Sequence, residues 1–497
     1  MIETDVLIAG LGPVGATLAN LLGQQGLRVL AVERDTSVYP LPRAAHFDAE
    51  IMRVWQGLGI LQEVMAVSRV APAYEFRTAK GEILLRFDLG AVTLAPGFAP
   101  SWMFNQPDLE RALRAKLSDY PRVEVRLGVR LEGFDAGPGG VTASIVDASG
   151  QVRSVRAKYL VACDGASSPV RKALKIEHFD YGFDEPWLVI DTQVKRPERV
   201  PDLNLQICDP VRPTTCVLMG PGRHRWEFMI RPGEDPQDFL DDKRIASLLA
   251  SWVSDGDVVI DRKAVYRFHG LVAKEWRRGP VLLAGDAAHQ TPPFAGQGMC
   301  SGIRDAVNIA WQLGHVLRGE AGEKILDTYQ TEREPHVRAF TESAIAMGRI
   351  VCTADPEMAA QRDAVMLAQR AQGQQPVPPP DPSPGPGVFL SSSARAGSIF
   401  PQGRVDGRRL DDVMGPGAWL IARGSSDLAG VKSALLARVE ALDGAMLKAF
   451  SGMLSAYLDQ AGSDAVLVRP DRYVFGTGSA AAVANAYGLS IGDRHVA

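Results

Sequence analysis

The chain has 497 residues, of which 46% are hydrophobic and 23% charged, as in a soluble globular protein with two or three domains. Its formal net charge of −4 argues against a nucleic acid or an anionic membrane surface as partner. The opening MIETDVLIAG lacks the basic flank of a signal peptide, and no apolar run approaches ~18 residues. The five cysteines form no CxxC pair. We therefore expect a cytoplasmic protein with neither a zinc site nor a disulfide framework.

The N-terminal segment predicts a strand–turn–helix–strand unit. The apolar run DVLIAG leads into a turn with Gly10, Gly12 and Gly15, the segment ATLANLLGQQG has helical apolar spacing, and the strand-like LRVLAVER contains Glu33. Such glycines permit a tight turn and let backbone N–H groups approach a pyrophosphate at the helix N-terminus. Glu33 follows about 20 residues later, where an acid accepts hydrogen bonds from a ribose. The unit predicts a dinucleotide site.

Two later strands each end in an acid. KYLVACDG reaches Asp164, and PVLLAGD reaches Asp286. Ligands of open α/β sheets bind outside the carboxyl ends of the strands, which is where both acids are expected. After Asp286 come two prolines and a GQG run, and a helical pattern begins near Gly298, with its positive end facing that loop.

Together these motifs resemble those of a known enzyme family. The ordered segments GxGxxG…E, DG…R and GDAAH…PP…GQG resemble class A flavoprotein aromatic hydroxylases, which have the p-hydroxybenzoate hydroxylase fold. The segments RAAHFDAE, YRFHGLVAKEWRRG and GQGMCSGIRDAVNIAWQL most resemble the 3-(3-hydroxyphenyl)propionate hydroxylase branch. The similarity covers residues 3–350, approximately the first two thirds of the chain.

The resemblance implies an α/β fold with three parts. A Rossmann-like FAD-binding domain with connecting helices would occupy 1–178 and 270–370, and an inserted mixed β-sheet substrate domain 179–269. A proline-rich linker at 371–388 would lead to a thioredoxin-like C-terminal domain at 389–497, where packing or subunit contact is expected because it lacks CxxC. A chain stopped near Pro380 is expected to keep FAD, since every flavin motif precedes it.

The resemblance also implies which residues contact FAD. Asp286 would hold the ribityl chain, Arg43 and Asp164 would lie near the diphosphate, and Gln106 would contact the flavin. Backbone N–H groups of the GQGM run would face the pyrimidine edge, where a helix N-terminus stabilises reduced flavin. The full set is Gly10, Gly12, Gly15, Glu33, Arg34, Arg43, Gln106, Asp164, Asp286, Pro293, Gly296, Gly298 and Met299.

Candidate catalytic and substrate residues follow from the same resemblance. His46 lies near the expected flavin site and could act as base toward a phenol, because histidine titrates near neutrality. Pro293 would shape the wall beside the isoalloxazine ring. Trp187, Trp226 and Phe228, on strand-like runs, suit an arene-lined pocket, although plain sheet core explains them equally well.

The implied activity is that of an FAD-dependent monooxygenase in aromatic compound catabolism. NADH or NADPH would reduce the flavin, O2 would give a flavin C4a-hydroperoxide, and a phenol similar to 3-(3-hydroxyphenyl)propionate would be hydroxylated. The partners would be the aromatic substrate and O2. A homodimer is possible. The alternatives are a flavin oxygenase of the same fold performing epoxidation or Baeyer–Villiger oxidation on a polycyclic or polyketide substrate, and a non-catalytic binding module.

Overall fold

The structure is a computed structural model that describes residues 1–374, 383–431 and 434–492. Its strands, in chain order, are β1 Ile2–Ala9, β2 Val29–Glu33, β3 His46–Asp48, β4 Ser68–Val70, β5 Ala73–Thr78, β6 Ile83–Asp88, β7 Ser101–Phe104, β8 Val123–Leu127, β9 Val129–Gly137, β10 Gly140–Asp147, β11 Val152–Ala162, β12 His178–Val194, β13 Asn204–Cys208, β14 Thr214–Leu218, β15 Arg223–Met229, β16 Val258–Ala273, β17 Arg277–Arg278, β18 Val281–Leu283, β19 His289–Gln290, β20 Arg404–Val405, β21 Arg408–Arg409, β22 Trp419–Ala422, β23 Arg438–Ala441, β24 Ala465–Val468 and β25 Val474–Gly478. The α-helices are α1 Pro13–Gln24, α2 Ala49–Leu58, α3 Leu61–Ala66, α4 Gln106–Lys116, α5 Pro169–Ala173, α6 Asp242–Leu249, α7 Gly298–Leu317, α8 Thr328–Val351, α9 Pro356–Ala371, α10 Leu410–Met414, α11 Ser451–Ala461 and α12 Ala480–Ile491. No described helix is long and apolar enough to cross a membrane.

The first sheet contains the predicted nucleotide-binding unit. Its main strand order is β17-β18-β11-β1-β2-β8, and β18, β11, β1, β2 and β8 run parallel. Strand β10 pairs antiparallel with β11 and with β9, which completes the eight strands. The apolar residues from Val6 to Ala9 of β1 are buried, and α1 packs against α7. Ala9, Ala162 and Leu283 lie side by side where β1, β11 and β18 end. The glycine turn, Asp164 and Asp286 therefore follow at one edge of the sheet, as the sequence predicts.

The second sheet is larger than the predicted substrate domain. Its order is β19-β16-β12-β15-β14-β13-β5-β6, with the long strands β12 and β16 paired antiparallel. The predicted boundaries assigned residues 73–88 to the FAD-binding domain, but β5 pairs parallel with β13, placing Tyr74 beside Asn204. The boundary is corrected accordingly. A pairing between such distant segments leaves no local sequence pattern.

The C-terminal region has its own sheet, ordered β23-β22-β24-β25, with α11 and α12. Strands β22 and β23 run parallel and the other pairs antiparallel. The thioredoxin-like fold stays a prediction. One face of this sheet shares the core of the first domain, because Leu420, Leu467 and Tyr487 belong to the same buried cluster as Ile8 and Ile309.

Buried polar contacts also join the C-terminal region to the rest of the chain. Arg469 forms hydrogen bonds of 2.7 and 3.0 Å with Glu332 of α8, and both side chains are fully buried. Arg53 of α2 binds Asp411 at 2.6 Å. Of the predicted linker, residues 375–382 lie outside the described residues. The backbone N–H of Val388, at its end, donates to Glu332 at 2.7 Å.

Candidate active site

A cavity of about 780 Å³ is lined by residues from the edge of the first sheet and from the second sheet. This volume is in the range of small-molecule and cofactor sites. Within the described residues, the predicted site residues that line it are Gly12, Arg43, His46, Gln106, Asp286, Pro293, Gly296, Gly298 and Met299. Those outside the lining are Gly10, Gly15, Glu33, Arg34, Asp164, Trp187, Trp226 and Phe228.

The three glycines of the first turn have different surroundings. Gly10 has φ +95°, and a Cβ there would collide with the Cys163 carbonyl oxygen. A Cβ on Gly15 would collide with the Gly10 carbonyl oxygen. A Cβ on Gly12 would meet no protein atom within 4 Å, and Gly12 faces the cavity. Helix α1 begins at Pro13 without a side-chain cap, so its first N–H groups are available to a phosphate.

These surroundings predict opposite effects for two alanine substitutions. Gly12→Ala should leave apoprotein stability unchanged but weaken FAD binding about tenfold or more, because its methyl group occupies the space that a diphosphate needs. Gly15→Ala should destabilise the apoprotein by about 1–3 kcal/mol, because the turn must shift. Titration of apoprotein with FAD and thermal unfolding measure the two effects. Native FAD affinity in the Gly12 variant would contradict the assignment.

The acids at the strand ends have distinct environments. Glu33 accepts hydrogen bonds from Leu11 N at 2.8 Å and Asp35 N at 3.1 Å, and so fixes the turn after β1. Asp286 projects into the cavity, and the protein around it raises the pKa of this carboxyl by desolvation, while His289 and Arg43 lower it. Its carboxylate has no hydrogen-bond partner in the described part of the chain. A ribityl hydroxyl would supply one.

The loop after β11 is tied to the loop after β18. Asp164 Oδ2 accepts a hydrogen bond from Val170 N at 3.2 Å, whereas Oδ1 is buried and has no partner among the described residues. Arg171 donates to the carbonyls of Ala166 at 3.1 Å and Ala287 at 3.0 Å. Arg171 therefore joins the two loops, and the contact of Asp164 with FAD stays a prediction, because Asp164 lies behind the cavity lining.

The segment before β3 is held by Gln106 at the start of α4. Its Oε1 accepts hydrogen bonds from Arg43 N at 3.1 Å and Ala44 N at 2.7 Å, and its Nε2 donates to Glu110 at 2.7 Å. Gln106 thus positions the Arg43 loop, and its direct flavin contact stays a prediction. Arg34 points to solvent with its side chain 74% exposed, so a cofactor contact has no support from its position.

His46 meets the GQG loop at the entrance of α7. Its Nδ1 lies 3.0 Å from the carbonyl oxygen of Gly296. A carbonyl only accepts, so Nδ1 carries the proton and Nε2 of the neutral ring keeps its lone pair. Burial lowers the pKa of His46, which keeps the ring neutral near pH 7. Helix α7 follows Gln297 without a side-chain cap, leaving its positive end toward the cavity.

Two buried networks support these loops. His289 binds Asp305 at 2.6 Å, and Asp305 also accepts hydrogen bonds from Gly285 N at 3.1 Å and Arg333 at 3.0 Å. His289 thus helps to fix the loop that carries Asp286.

The second network was missed from the sequence. Arg304 of α7 donates to Asp48 at 2.7 Å, to Glu50 at 2.6 Å and to Gln297 at 3.2 Å. Glu50 also accepts a hydrogen bond of 2.7 Å from Tyr473 of the C-terminal region. The signal available in the sequence is an arginine in a largely apolar helix, next to Asp305, but its partners Asp48 and Glu50 lie far away in the chain.

The predicted substrate residues need correction. Trp226 and Phe228 pack with Ile245 of α6 on the far side of the sheet, while Arg225 and Glu227 of the same strand line the cavity. Trp187 lies behind the cavity wall, with its ring 5.7 Å from that of Phe294. The side chains on both faces of β15 are buried. The position of its aromatic residues in the sequence therefore could not indicate which face lines the pocket.

Comparison with known proteins decides the family. Residues 3–344 match the family model of the FAD binding domain. A probable NADH-specific resorcinol 4-hydroxylase of Rhodococcus jostii is 38% identical over 95% of this chain and 91% of its own length. The chain belongs to the FAD-dependent aromatic hydroxylases.

Further comparisons agree with this family. A 3-(3-hydroxy-phenyl)propionate/3-hydroxycinnamic acid hydroxylase of Comamonas testosteroni is 37% identical over 74% of this chain and 62% of its own length. The structure of aklavinone-11 hydroxylase with FAD and aklavinone matches with TM-score 0.79 and 26% identity over 99% of both chains. Residues 397–489 match the HcaD C-terminal domain. FAD is thus the cofactor of this hydroxylase, and the binding-module alternative is set aside.

Proposed function

We propose that this hydroxylase uses NADH or NADPH and O2 to hydroxylate a phenolic ring bound against the second sheet. The observation that carries the proposal is one continuous cavity, shared by the loops that fit FAD and by an apolar chamber. The chamber wall includes Tyr74, Phe87, Leu89, Met103, Phe294 and Met347. Such a wall fits an aromatic ring and excludes water from the reaction. The NADH-specific resorcinol hydroxylase supports both the phenolic substrate and the electron donor.

The residues of this chain would bind and orient the reactants. Bound FAD would accept a hydride and activate O2, as set out for the family above. The Gly12 turn and the start of α1 would hold its diphosphate, and Asp286 its ribityl chain. The N-terminus of α7, with Gly298 and Met299, would face its pyrimidine edge. Apart from Arg34, which points to solvent, the remaining cofactor contacts predicted from the sequence belong to this proposal, among them Arg43 and Pro293.

His46 would take the proton of the phenol. Its Nε2 has a free lone pair in the tautomer fixed by Gly296, and its lowered pKa keeps that lone pair available at neutral pH. Deprotonation makes the ring more electron-rich and so more reactive toward an electrophilic oxygen. Geometry and protonation state both suit a general base.

The test uses the purified full-length protein. We expect an oxidised-flavin absorption spectrum, and oxidation of NADH or NADPH that accelerates when a phenol is added. Product analysis should show a hydroxylated ring, in an amount close to the reductant consumed. A flavin-containing protein whose reductant oxidation ignores every phenol tested would contradict the proposal, and an epoxide or lactone product would favour the alternative oxygenase chemistry.

A further inference from the structure

The sheet side of the cavity carries two charged residues, Arg225 and Glu227, at alternate positions of β15. Each is 5% exposed. Within the described residues, the other side chains that line this wall from β5, β6, β13 and β14 are uncharged, namely Tyr74, Phe87, Asn204, Gln206, Thr215, Cys216 and Val217. The charge that a substrate meets on this wall is therefore decided by Arg225 and Glu227.

Arg225 is already engaged with protein acceptors. Its Nε donates to Asp191 Oδ1 at 2.6 Å, Nη1 to the carbonyl of Arg43 at 2.8 Å, and Nη2 to the carbonyl of Pro42 at 2.9 Å. All three nitrogens are thus directed at protein acceptors, two of which are carbonyls of the loop before His46. An arginine that clamps a substrate carboxylate presents two parallel N–H groups to it, and Arg225 would have to break the loop contacts to do so.

Glu227 is in the opposite situation. Its Oε1 lies 3.6 Å from Arg225 Nη1, too far for a hydrogen bond, and the carboxyl has no hydrogen-bond partner in the part of the chain that the structure describes. Burial raises the pKa of Glu227 to about 7, with Arg225 opposing and Asp191 reinforcing the shift. Arg225 gives Glu227 a charge partner but no hydrogen bond, and a buried carboxyl that faces a cavity without a hydrogen bond is costly unless a ligand satisfies it.

We propose that Glu227 accepts a hydrogen bond from a hydroxyl group of the substrate, so that this pocket selects neutral dihydroxybenzenes over arenes with a carboxylate side chain. The inference rests on the proposed function: one hydroxyl would face His46 and the flavin, and the second would reach the sheet wall. Among the described residues the cation on this wall is Arg225, whose N–H groups are already engaged, so a substrate carboxylate here would be desolvated beside Glu227 without a cation free to pair with it. Arg43, which also lines the cavity, lies on the loop before His46 and is the residue proposed for the FAD diphosphate. The predicted similarity of the substrate to 3-(3-hydroxyphenyl)propionate would then extend to its phenol and not to its acid.

The experiment compares resorcinol with 3-(3-hydroxyphenyl)propionate. Dissociation constants are measured from the change in flavin absorbance when each ligand is added to the oxidised holoenzyme, and kcat/KM is measured for each. The native enzyme should bind resorcinol more tightly. At about pH 8, above the pKa of about 7 that burial gives Glu227, the carboxyl is ionised, and Glu227→Gln should weaken resorcinol binding about tenfold or more, the usual effect of losing a hydrogen bond to a charged group. Binding of the arylpropionate should stay the same or tighten.

The matched control is Glu75→Gln on β5 of the same sheet. Glu75 is also buried, but it pairs with Arg77 and Arg86 and lies outside the cavity lining, so both dissociation constants should stay native. Tighter binding of the arylpropionate by the native enzyme would overturn the inference, whether or not the Glu227 variant folds. If Glu227→Gln weakened the binding of both ligands equally, that result would overturn the inference as well. In either case hydroxylation of any phenol would leave the proposed function standing.

Discussion

Replacing Arg469 with alanine is expected to lower the free energy of unfolding by about 3–5 kcal/mol, the usual cost of removing one partner of a buried ion pair. Arg469 is fully buried and binds Glu332 at 2.7 and 3.0 Å and Asp471 at 2.5 Å. Its guanidinium also lies over the rings of Phe389, at 4.2 Å, and Trp311, at 4.9 Å. The substitution would leave two carboxylates buried without their cation.

Urea unfolding of the holoprotein, followed by flavin and tryptophan fluorescence, measures this effect. The control is Arg423→Ala, which removes an arginine of the same region whose ion pair with Asp459, at 2.9 Å, is exposed to solvent. Arg423→Ala should lower the free energy of unfolding by less than about 1 kcal/mol. If both variants unfold at the same urea concentration as the native protein, the buried pair does not hold the C-terminal region to α8.

The same contacts change the expectation for a chain stopped near Pro380. Without the C-terminal region, Glu332 loses Arg469 and Glu50 loses Tyr473. The apolar residues of the first domain that now pack against the C-terminal region would face water. The position of the flavin motifs in the sequence suggests that such a chain keeps FAD. The structure leads us to expect poor solubility instead, because the missing region covers core and buried charge.

Replacing His46 with alanine is expected to slow hydroxylation by about 10²- to 10⁴-fold, the usual effect of removing a general base. Reduction of the flavin by NADH or NADPH should persist, because that step does not use the phenol proton. The pH dependence has a definite sign. Burial lowers the pKa of His46 below its ordinary value of 6.5, so the native rate should hold at neutral pH and fall as the pH drops through that lowered value.

Stopped-flow absorbance separates the two half-reactions. The control is His269→Ala, a partly exposed histidine beside Asp184 that lies outside the cavity lining, and it should react at the native rate. Hydroxylation at the native rate in His46→Ala would rule out the base assignment. Loss of flavin reduction in the same variant would instead indicate that the GQG loop, which His46 contacts at Gly296, had shifted.

The sequence was most informative where function depends on local backbone. The turn at Gly10, Gly12 and Gly15 and the acids after β11 and β18 could be placed because a strand, a glycine and an acid are adjacent in the chain. Parallel strands bring their ends to one edge, so these local signals also predicted a common site.

Features that depend on distant pairing could not be predicted in this way. The addition of β5 and β6 to the second sheet, and the network of Arg304 with Asp48 and Glu50, join segments that are far apart in sequence. The residues of the substrate wall could not be predicted for another reason. Strand β15 is covered on both faces, so its alternation does not reveal that Glu227, and not Trp226, faces the cavity.

The most direct measurement is the origin of the oxygen atom in the product. The holoenzyme is supplied with NADH, or with NADPH if that is the better donor, and a neutral dihydroxybenzene under ¹⁸O2, and the product is analysed by mass spectrometry. A flavin monooxygenase inserts one atom from O2, so we expect a trihydroxybenzene carrying one ¹⁸O. A product whose new oxygen comes from water, or reductant consumption that yields only hydrogen peroxide with every phenol tested, would contradict the proposed hydroxylation.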